Sequence, residues 1–487
     1  PHRFAFVYVF FVITLAYRGL ISEDFQGVSK TITKSALVAG FFLFLVQKLN
    51  VTEISELMIY VSIVFLALYA LIFALSKAHQ HRLRYTASLL LVVFVAELCM
   101  NGISMANQVN QNEYYTRRSD FIRDFDEVTE LISEVEAREP EGAFYRMELE
   151  PQKTTNDPAL YGYPGFTLFS STSPEETAAM MRSLGYHGNN INSYKYVDST
   201  PFLDALWGLK YFVWKNGETN DPTRHRFLRG VTVEDRTARL YENPDAMGLG
   251  ILAPLGLRQW EPGEASAFAN QNSLARSLTG IDGLYKPLPL EEVSVSNAYA
   301  DGGGPAEGFE YRSSNAAQAG NYSLRYTAEE DSRALFFIDT ARMSTINYQV
   351  KRGEEVVREA SRSINKPETF DPGPLEAGDT LEIKVDYKEN EGNHWTIWLA
   401  EQQEDVYNRL MEALHERSVD WTFESATELT ATVQGQAPQS LFLSIPYDPG
   451  WTLYVNGEAI DDDKEITVGG GLLGYELPEG VLNLRLE

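Results

Sequence analysis

Cysteine is almost missing from this chain: its 487 residues hold one, Cys99. A single thiol excludes an internal disulfide framework and a thiolate zinc site. The zinc-protease HExxH, the phosphate-binding P-loop, the dinucleotide glycine fingerprint and the G-x-S-x-G elbow are also absent, so none of those chemistries has a sequence anchor. The seven histidines are scattered. Positive charge is in short supply, with 41 Lys and Arg against 68 Asp and Glu and a net charge of -27. Residues 1–106 hold eight basic and five acidic residues, a net of +3, which leaves -30 for the remainder. Such a polyanion repels phosphate backbones, which excludes nucleic acid as a partner. Asp461, Asp462 and Asp463 follow a turn-like Asn456-Gly457 and lack the spaced ligand pattern of a calcium loop, so they read as a solvated turn. No metal ligand and no cofactor is identifiable; a divalent cation stays open without named ligands.

Long apolar runs are confined to the first 106 residues. Residues 57–76 carry no charge over twenty positions, enough to cross about 30 Å of hydrocarbon at the helical rise. Residues 86–106 form a second strong run. Between them lie Lys77, His79, His81, Arg82 and Arg84, a short basic loop expected to stay cytoplasmic. Two weaker runs precede them, 4–21 with Arg18 near its end and 35–46 preceded by Lys30 and Lys34. Alternating topology places Arg18, Lys30 and Lys34 on the cytoplasmic side, where they satisfy the positive-inside rule. No small-residue cleavage site follows the first run, so it reads as a retained span and not a signal peptide. The expectation is four transmembrane helices with residues 107–487 extracytoplasmic. A cystine-free outer part of that size fits a Gram-positive-type surface. The opening on Pro1 and the strand-like ending at Glu487 have the look of an excerpt.

Past residue 107, residues 119–139 read as an amphipathic helix, with Phe121, Phe125, Val128, Ile132 and Val135 at spacings of three and four. Residues 144–149 alternate like a strand. Ser173, Pro174 and Glu176 predict a capped helix start, with the end near Gly185. A short helix over 201–207 and a buried strand over 209–214 complete an expected mixed α/β domain, 107–285. From about Glu291 short β-rich runs alternate with Gly, Asn and Asp turns, at 310–312, 322–327, 334–338, 345–351, 380–387 and 395–399. That spacing predicts an antiparallel β-sandwich over 286–400. A helix over 404–415 and runs at 428–433, 439–445, 451–455 and 482–486 predict a second, truncated sandwich in 401–487. The fold class expected is a multi-domain membrane protein: an α-helical bundle of four spans, a mixed α/β domain, then antiparallel β-sandwiches.

Several residues are candidates for chemistry. Glu97 lies inside the fourth apolar run, where a carboxylate is costly and normally meets a partner, and Asn101 is one turn away. It reads either as a polar contact near a lipid-linked substrate or as helix-to-helix glue, the commoner use. Arg3 can offer a forked donor to the phosphate of a lipid carrier or anchor its helix to headgroups. The run Tyr161-Gly162-Tyr163-Pro164-Gly165-Phe166, followed by Ser170, Ser171 and Thr172, has the rings and hydroxyls of a sugar-facing loop. Asn189, Asn190, Asn192 and Tyr194 lie close in sequence, so Tyr161, Tyr163, Asn189 and Asn190 are the candidate substrate groove, against ordinary turn structure as the alternative.

The segment Leu443-Ser444-Ile445-Pro446-Tyr447-Asp448-Pro449-Gly450-Trp451, continued by Tyr454-Val455-Asn456-Gly457, resembles the C-terminal signature of the YfhO family of bacterial membrane proteins. Pro1-His2-Arg3-Phe4, residues 160–172, Trp207-Gly208-Leu209-Lys210-Tyr211-Phe212, Tyr241-Glu242-Asn243-Pro244 and Gln271-Asn272 occur in the family's order. The resemblance implies a polytopic GT-C-type glycosyltransferase that takes a sugar from a polyprenyl-phosphate donor on the outer leaflet and gives it to lipoteichoic acid or a related anionic wall polymer. It implies a catalytic carboxylate in an early extracytoplasmic loop. No position here matches that loop, so the catalytic residue is unknown and the catalytic segment is expected outside the excerpt. The Pro446 to Trp451 motif reads as architecture, with Trp451 filling a sandwich core; sugar stacking is its functional alternative. The rival to the enzyme is a membrane-anchored glycan-binding or scaffold protein. A transporter fits less well, since Glu97 is the sole acid within the spans.

Overall fold

The computed structural model describes residues 5–20, 25–49, 56–78, 83–112, 116–215, 217–219, 221–392, 394–425, 427–435 and 437–487. The chain divides into two compact units, Pro1–Phe121 and Ile122–Glu487.

The first unit is helical: α1 (Ala5–Leu20), α2 (Phe25–Lys48), α3 (Glu56–Ala78) and α4 (Leu83–Asn112). Three stretches within them are long and apolar enough to cross a bilayer, Lys30–Lys48, Glu56–Leu75 and Tyr85–Asn107. In α1 the described apolar stretch is Phe6–Leu15, and Arg18 stands in the last turn of the helix. Large apolar side chains of these three stretches, such as Phe42, Leu71 and Val92, are exposed, which suits helices able to cross a bilayer. The Tyr69 hydroxyl of α3 donates to Glu97 Oε2 of α4 at 2.7 Å. The intramembrane carboxylate thus ties one helix to another, which is the glue role. Tyr69→Phe is expected to cost about 0.6 kcal/mol, read as a small shift in the SDS concentration that unfolds the full chain.

The second unit is dominated by antiparallel sheets. Its first sheet runs Arg146–Glu150, Leu209–Lys215, Arg236–Glu242, Arg226–Val233, with the first pair parallel and the others antiparallel. Helix Phe125–Arg138 lays Val128, Leu131, Ile132 and Val135 on one face of it, against Met147, Leu149, Val213 and Leu240. The expected helix over 119–139 is broken ahead of Phe125. Asp124, at the cap position, makes no cap bond because its carboxylate is drawn to Lys153 at 2.6 Å and Lys215 at 2.9 Å. Strand Arg146–Glu150 is buried at Met147, Glu148 and Leu149 in succession and does not alternate, since it is covered on both faces. The expected capping box at Ser173 is likewise not formed. Pro174 takes the cap position of helix Glu175–Ser183, and the Ser173 hydroxyl is buried without a hydrogen-bond partner.

Two β-sandwiches follow. One packs the sheet Glu291–Ser296, Gly320–Thr327, Thr380–Tyr387, Ser344–Arg352, Glu355–Ile364 on the sheet Ala298–Gly304, Gly308–Ser313, His394–Gln402, Ser332–Asp339, Glu368–Phe370. Alternation along Ser344–Arg352 and Thr380–Tyr387 buries every second side chain, the period a half-buried strand demands. Tyr311 stacks on Tyr322 at 4.4 Å, and Trp395 donates its indole N–H to Ser344 at 2.8 Å inside this core. The other sandwich contains Gln439–Pro446, Leu472–Leu477 and Leu429–Gly435, and it recruits Gly250–Ala253 from nearly two hundred residues upstream, pairing Leu252 with Leu441. Trp451 packs half-buried against its core.

A shared core joins these layers around Trp207, which is fully buried between Phe166 and Phe442. Gly208 follows at φ +65, where a Cβ would lie 2.6 Å from the Phe144 ring and 2.8 Å from the Met247 carbonyl. Only glycine turns the chain there from helix Pro201–Leu206 into strand Leu209–Lys215.

Candidate functional site

Polar side chains converge at one place in the second unit. The bend between Gly320–Thr327 and Ser332–Asp339 presents Glu330 and Asp331. Helix Glu404–Glu416 opens with Glu404 and Asp405 and turns Tyr407 inward. The segment after Arg236–Glu242 adds Asp245, and the turn at 221–225 adds Arg224. Together they bound a cleft of about 720 Å³. Behind it lies a chamber of about 40 Å³ lined by Asp198, Asp204, Asp221, His225 and Asp371, room for a few water-sized groups. Arg224, Arg333 and Tyr407 line both spaces.

Arg333 is the keystone of the chamber. It is 6 % exposed, and its guanidinium bonds Asp221 with one nitrogen and Asp371 at 2.7 Å with another. Arg224 reaches Glu404 at 2.9 Å and Asp245 at 3.6 Å and lies 4.2 Å over the Tyr407 ring, whose hydroxyl donates to Asp245 at 2.6 Å. Arg362 links Glu368 at 2.6 Å to Asp198 at 3.5 Å, and His187 sits 2.9 Å from Glu368.

Burial and countercharge set the protonation pattern. Burial pushes the Asp198 carboxyl up to about 7 against the pull of Arg362, and it lifts Asp204 well above the carboxylate range. Burial also opposes ionisation of Asp221, but Arg333 beside it holds that carboxyl below its ordinary value. His225 is pressed down to about 4, chiefly by burial, so its ring is neutral at neutral pH while Thr219 meets Nδ1 at 2.7 Å. Acids that burial favours in the neutral form and an acid that Arg333 favours as the anion therefore line one chamber. Among the described residues no group of three or more His, Cys, Asp or Glu is placed to hold a metal ion.

The residues singled out from sequence lie elsewhere. Tyr161 and Tyr163 are buried in the core under helix Phe125–Arg138, Tyr161 stacked on Phe125 at 5.1 Å with the Lys153 ammonium over its ring. Gly162, at φ +79, ends the helical turn Asp157–Tyr161, and both rings pack inward as an aromatic pair in a core does. They form no sugar-facing surface. Asn189 accepts the backbone N–H groups of Ile191, Asn192 and Ser193 through its side-chain oxygen, and Asn190 sits at φ +55. The two asparagines build the tip of the hairpin between His187–Gly188 and Ser193–Lys195, the turn alternative. Arg3 lies outside the described residues. Sequence reasoning missed Arg224, Arg333, Asp221, Asp371 and Tyr407. The one local signal is the turn Asp221-Pro222-Thr223-Arg224, where Asp221 accepts from the backbone of Thr223 and Arg224 at 3.2 Å.

Comparison with solved structures returns partial likenesses. A CBM29-2 mutant complexed with cellulohexaose, from carbohydrate-binding module family 29, is similar at TM-score 0.18 and 9 % identity, over 24 % of this chain and 89 % of that one. A GH29 fucosidase of Ruminococcus gnavus in complex with fucose gives 0.16 and 14 %, over 20 % and 21 %. A family two carbohydrate esterase from Clostridium thermocellum in complex with cellohexaose gives 0.16 and 10 %, over 22 % and 30 %. Likeness at such scores carries no functional weight. No curated protein matches the chain. The family model described as bacterial membrane protein YfhO matches residues 1–487, so with its apolar helices and β-rich second unit the chain belongs to the YfhO family of bacterial membrane proteins.

Proposed function

We propose that this chain works in a GT-C-type membrane glycosyltransferase, moving a sugar from a polyprenyl-phosphate donor to lipoteichoic acid or a related wall polymer at the outer face of the membrane. The observation that carries the reading is family membership across residues 1–487. The joining of bilayer-length apolar helices to a large β-rich part in one chain supports it, since a lipid-linked donor and a polymer acceptor meet at the membrane surface. In this reading α1 to α4 all cross, residues 107–487 lie outside, and Arg3 faces the carrier phosphate. No catalytic residue is assigned. Deletion of the gene is expected to remove sugar substituents from one wall or lipoteichoic polymer, seen as a lowered mass profile. An unchanged profile, with the enzyme that charges the carrier active, rejects the proposal.

A second reading, a membrane-anchored glycan-binding protein without catalysis, is favoured by the polar cleft, which the β-rich unit forms by itself. Sugar transfer by the purified protein from a polyprenyl-phosphate sugar separates the two.

A further inference from the structure

Three large apolar side chains stand exposed on neighbouring segments of the second unit: Ile122 at 49 %, Phe169 at 46 % and Ile191 at 61 %. Polar contacts tie these segments together. Asp124 meets Lys153 at 2.6 Å, the Asn156 side chain meets the Phe169 backbone, and the Ser170 N–H donates to the Asn192 carbonyl at 3.2 Å. Lys153 and Asn156 sit in one turn, closed by Asp157, whose carboxylate accepts the N–H groups of Lys153 at 2.7 Å and Thr154 at 2.8 Å. Each tip is fixed by its own polar groups. Asn189, accepting three successive N–H groups, and Asn190, at φ +55, hold the hairpin turn on which Ile191 is exposed. The Ser170 hydroxyl lies 2.8 Å from that of Thr172 and accepts the Thr172 N–H at 3.2 Å, which sets the turn after Phe169.

Water is a poor surround for such side chains, although single ones are scattered over most protein surfaces. These three differ in where they stand. Ile122 opens the second unit, fifteen residues past the apolar stretch that ends at Asn107, so the chain enters the unit in this region. Ser170, Ser171, Thr172, Asn190 and Asn192 flank the tips. Isolated apolar groups set among hydroxyls and amides suit the boundary between lipid headgroups and hydrocarbon, whereas a protein partner calls for a continuous apolar core. Charge is close to balanced, with Lys195 on the strand after Ile191 and Glu175 and Glu176 on the helix after Thr172. Attraction to anionic lipid is therefore not what would hold the region at a membrane.

We propose that the tips carrying Phe169 and Ile191, with Ile122 beside them, dip into the surface of the bilayer that the apolar helices cross. Apolar side chains docked in this way reach about 5–10 Å into the boundary between headgroups and acyl chains. Several contact points fix the orientation of the β-rich unit against the membrane, where a single tether leaves it free to swing. The inference rests on the reading that α4 crosses the bilayer and is independent of sugar transfer.

The test uses the purified full chain in lipid nanodiscs. Cys99→Ser removes the one native thiol, and Ser171→Cys, exposed between the tips, carries an environment-sensitive nitrobenzoxadiazole label. Lipid bearing a nitroxide near the top of its acyl chains is expected to quench this label, in zwitterionic and in anionic nanodiscs alike. Phe169→Ser/Ile191→Ser replaces two exposed side chains, so the thermal midpoint is expected to stay where it was while the quenching is lost. A label at Glu354→Cys, on the polar hairpin tip between Ser344–Arg352 and Glu355–Ile364, is expected to remain unquenched. A label at Leu91→Cys, exposed on α4, reports separately whether that helix lies in the bilayer. Quenching at Leu91→Cys without quenching at Ser171→Cys overturns the docking. So does quenching that survives Phe169→Ser/Ile191→Ser, that requires anionic lipid, or that is equal at Glu354→Cys. Absence of quenching at Leu91→Cys overturns the crossing on which the docking rests.

Discussion

Replacing Arg333 by methionine is expected to destabilise the β-rich unit by about 3–5 kcal/mol, the range for breaking a buried ion pair by removing one partner. Arg333 comes from strand Ser332–Asp339, Asp221 from a turn 112 residues earlier and Asp371 from the segment after Glu368–Phe370. Arg333 and Asp221 are buried and the Asp371 side chain is 14 % exposed, so water has little room to take over the task of the guanidinium. Asp371 is already raised by burial in spite of Arg333, and without it both acids must take up protons or remain as unpaired charge. All seven tryptophans lie after residue 206, which makes intrinsic fluorescence of the full chain a probe of the β-rich unit without background from the apolar helices. A lowered thermal midpoint in Arg333→Met, largely recovered in Arg333→Met/Asp221→Asn/Asp371→Asn, is the expected pattern. If the single variant melts with the wild type, the triad does not hold the chamber together.

That triad shows why the site was hidden in sequence while much of the scaffold was not. Runs read as strands at 380–387, 345–351 and 439–445 are the strands Thr380–Tyr387, Ser344–Arg352 and Gln439–Pro446, because their two-residue alternation is written locally. The helix over 404–415 is Glu404–Glu416 for the same reason at a period near four. Strand Glu355–Ile364 is mostly polar and Ala298–Gly304 ends in three glycines, so neither carries a hydrophobic pattern; both are stabilised by the strands beside them. The pairing of Gly250–Ala253 with Gln439–Pro446, like the meeting of Arg333 with Asp221, depends on tertiary contacts that no local period encodes. The family-like motifs, by contrast, mostly turn out to be joints. Gln271 bonds Thr200 at 2.7 Å and the Leu184 carbonyl at 2.8 Å, Asn272 grips both backbone groups of Tyr285 at 2.8 Å, and Asn243 reaches the Leu209 carbonyl at 3.2 Å. The aromatic run at 161–166 looked like a ligand surface because flat rings and glycines suit sugars and cores alike, and only burial separates the two.

The same run leads to the second large effect. Glu148 is fully buried and holds the loop after Tyr163 in place: its Oε1 accepts the backbone N–H groups of Phe166 at 2.7 Å and Thr167 at 2.6 Å, and its Oε2 accepts from Gln152 at 3.0 Å. Glu148→Ala leaves two buried backbone donors without an acceptor, at about 1–3 kcal/mol each, so a loss of roughly 2–6 kcal/mol is expected. Glu148→Gln behaves differently. One amide oxygen can take both N–H groups, and Gln152, whose own Oε1 has no partner, can turn to accept from the new amide. Burial raises the Glu148 carboxyl to about 7, against the opposing backbone hydrogen bonds from Thr167 and Phe166. A folded-state pKa above the unfolded value means that the folded protein holds the proton more tightly. The associated stability is full below the ordinary glutamate range and is lost as pH rises through about 7, a swing of about 3 kcal/mol from this one group. Thermal midpoints measured from pH 5 to pH 8 are therefore expected to fall in the wild type and to fall less steeply in Glu148→Gln, with the variant the more stable protein at the alkaline end. His225 acts with the opposite sign and at lower pH, since its depressed pKa costs stability as pH drops from its ordinary value toward about 4, which leaves the alkaline limb to the raised acids. Parallel pH profiles for wild type and Glu148→Gln would show that Glu148 is ionised throughout, and that its backbone hydrogen bonds outweigh the cost of burying its charge.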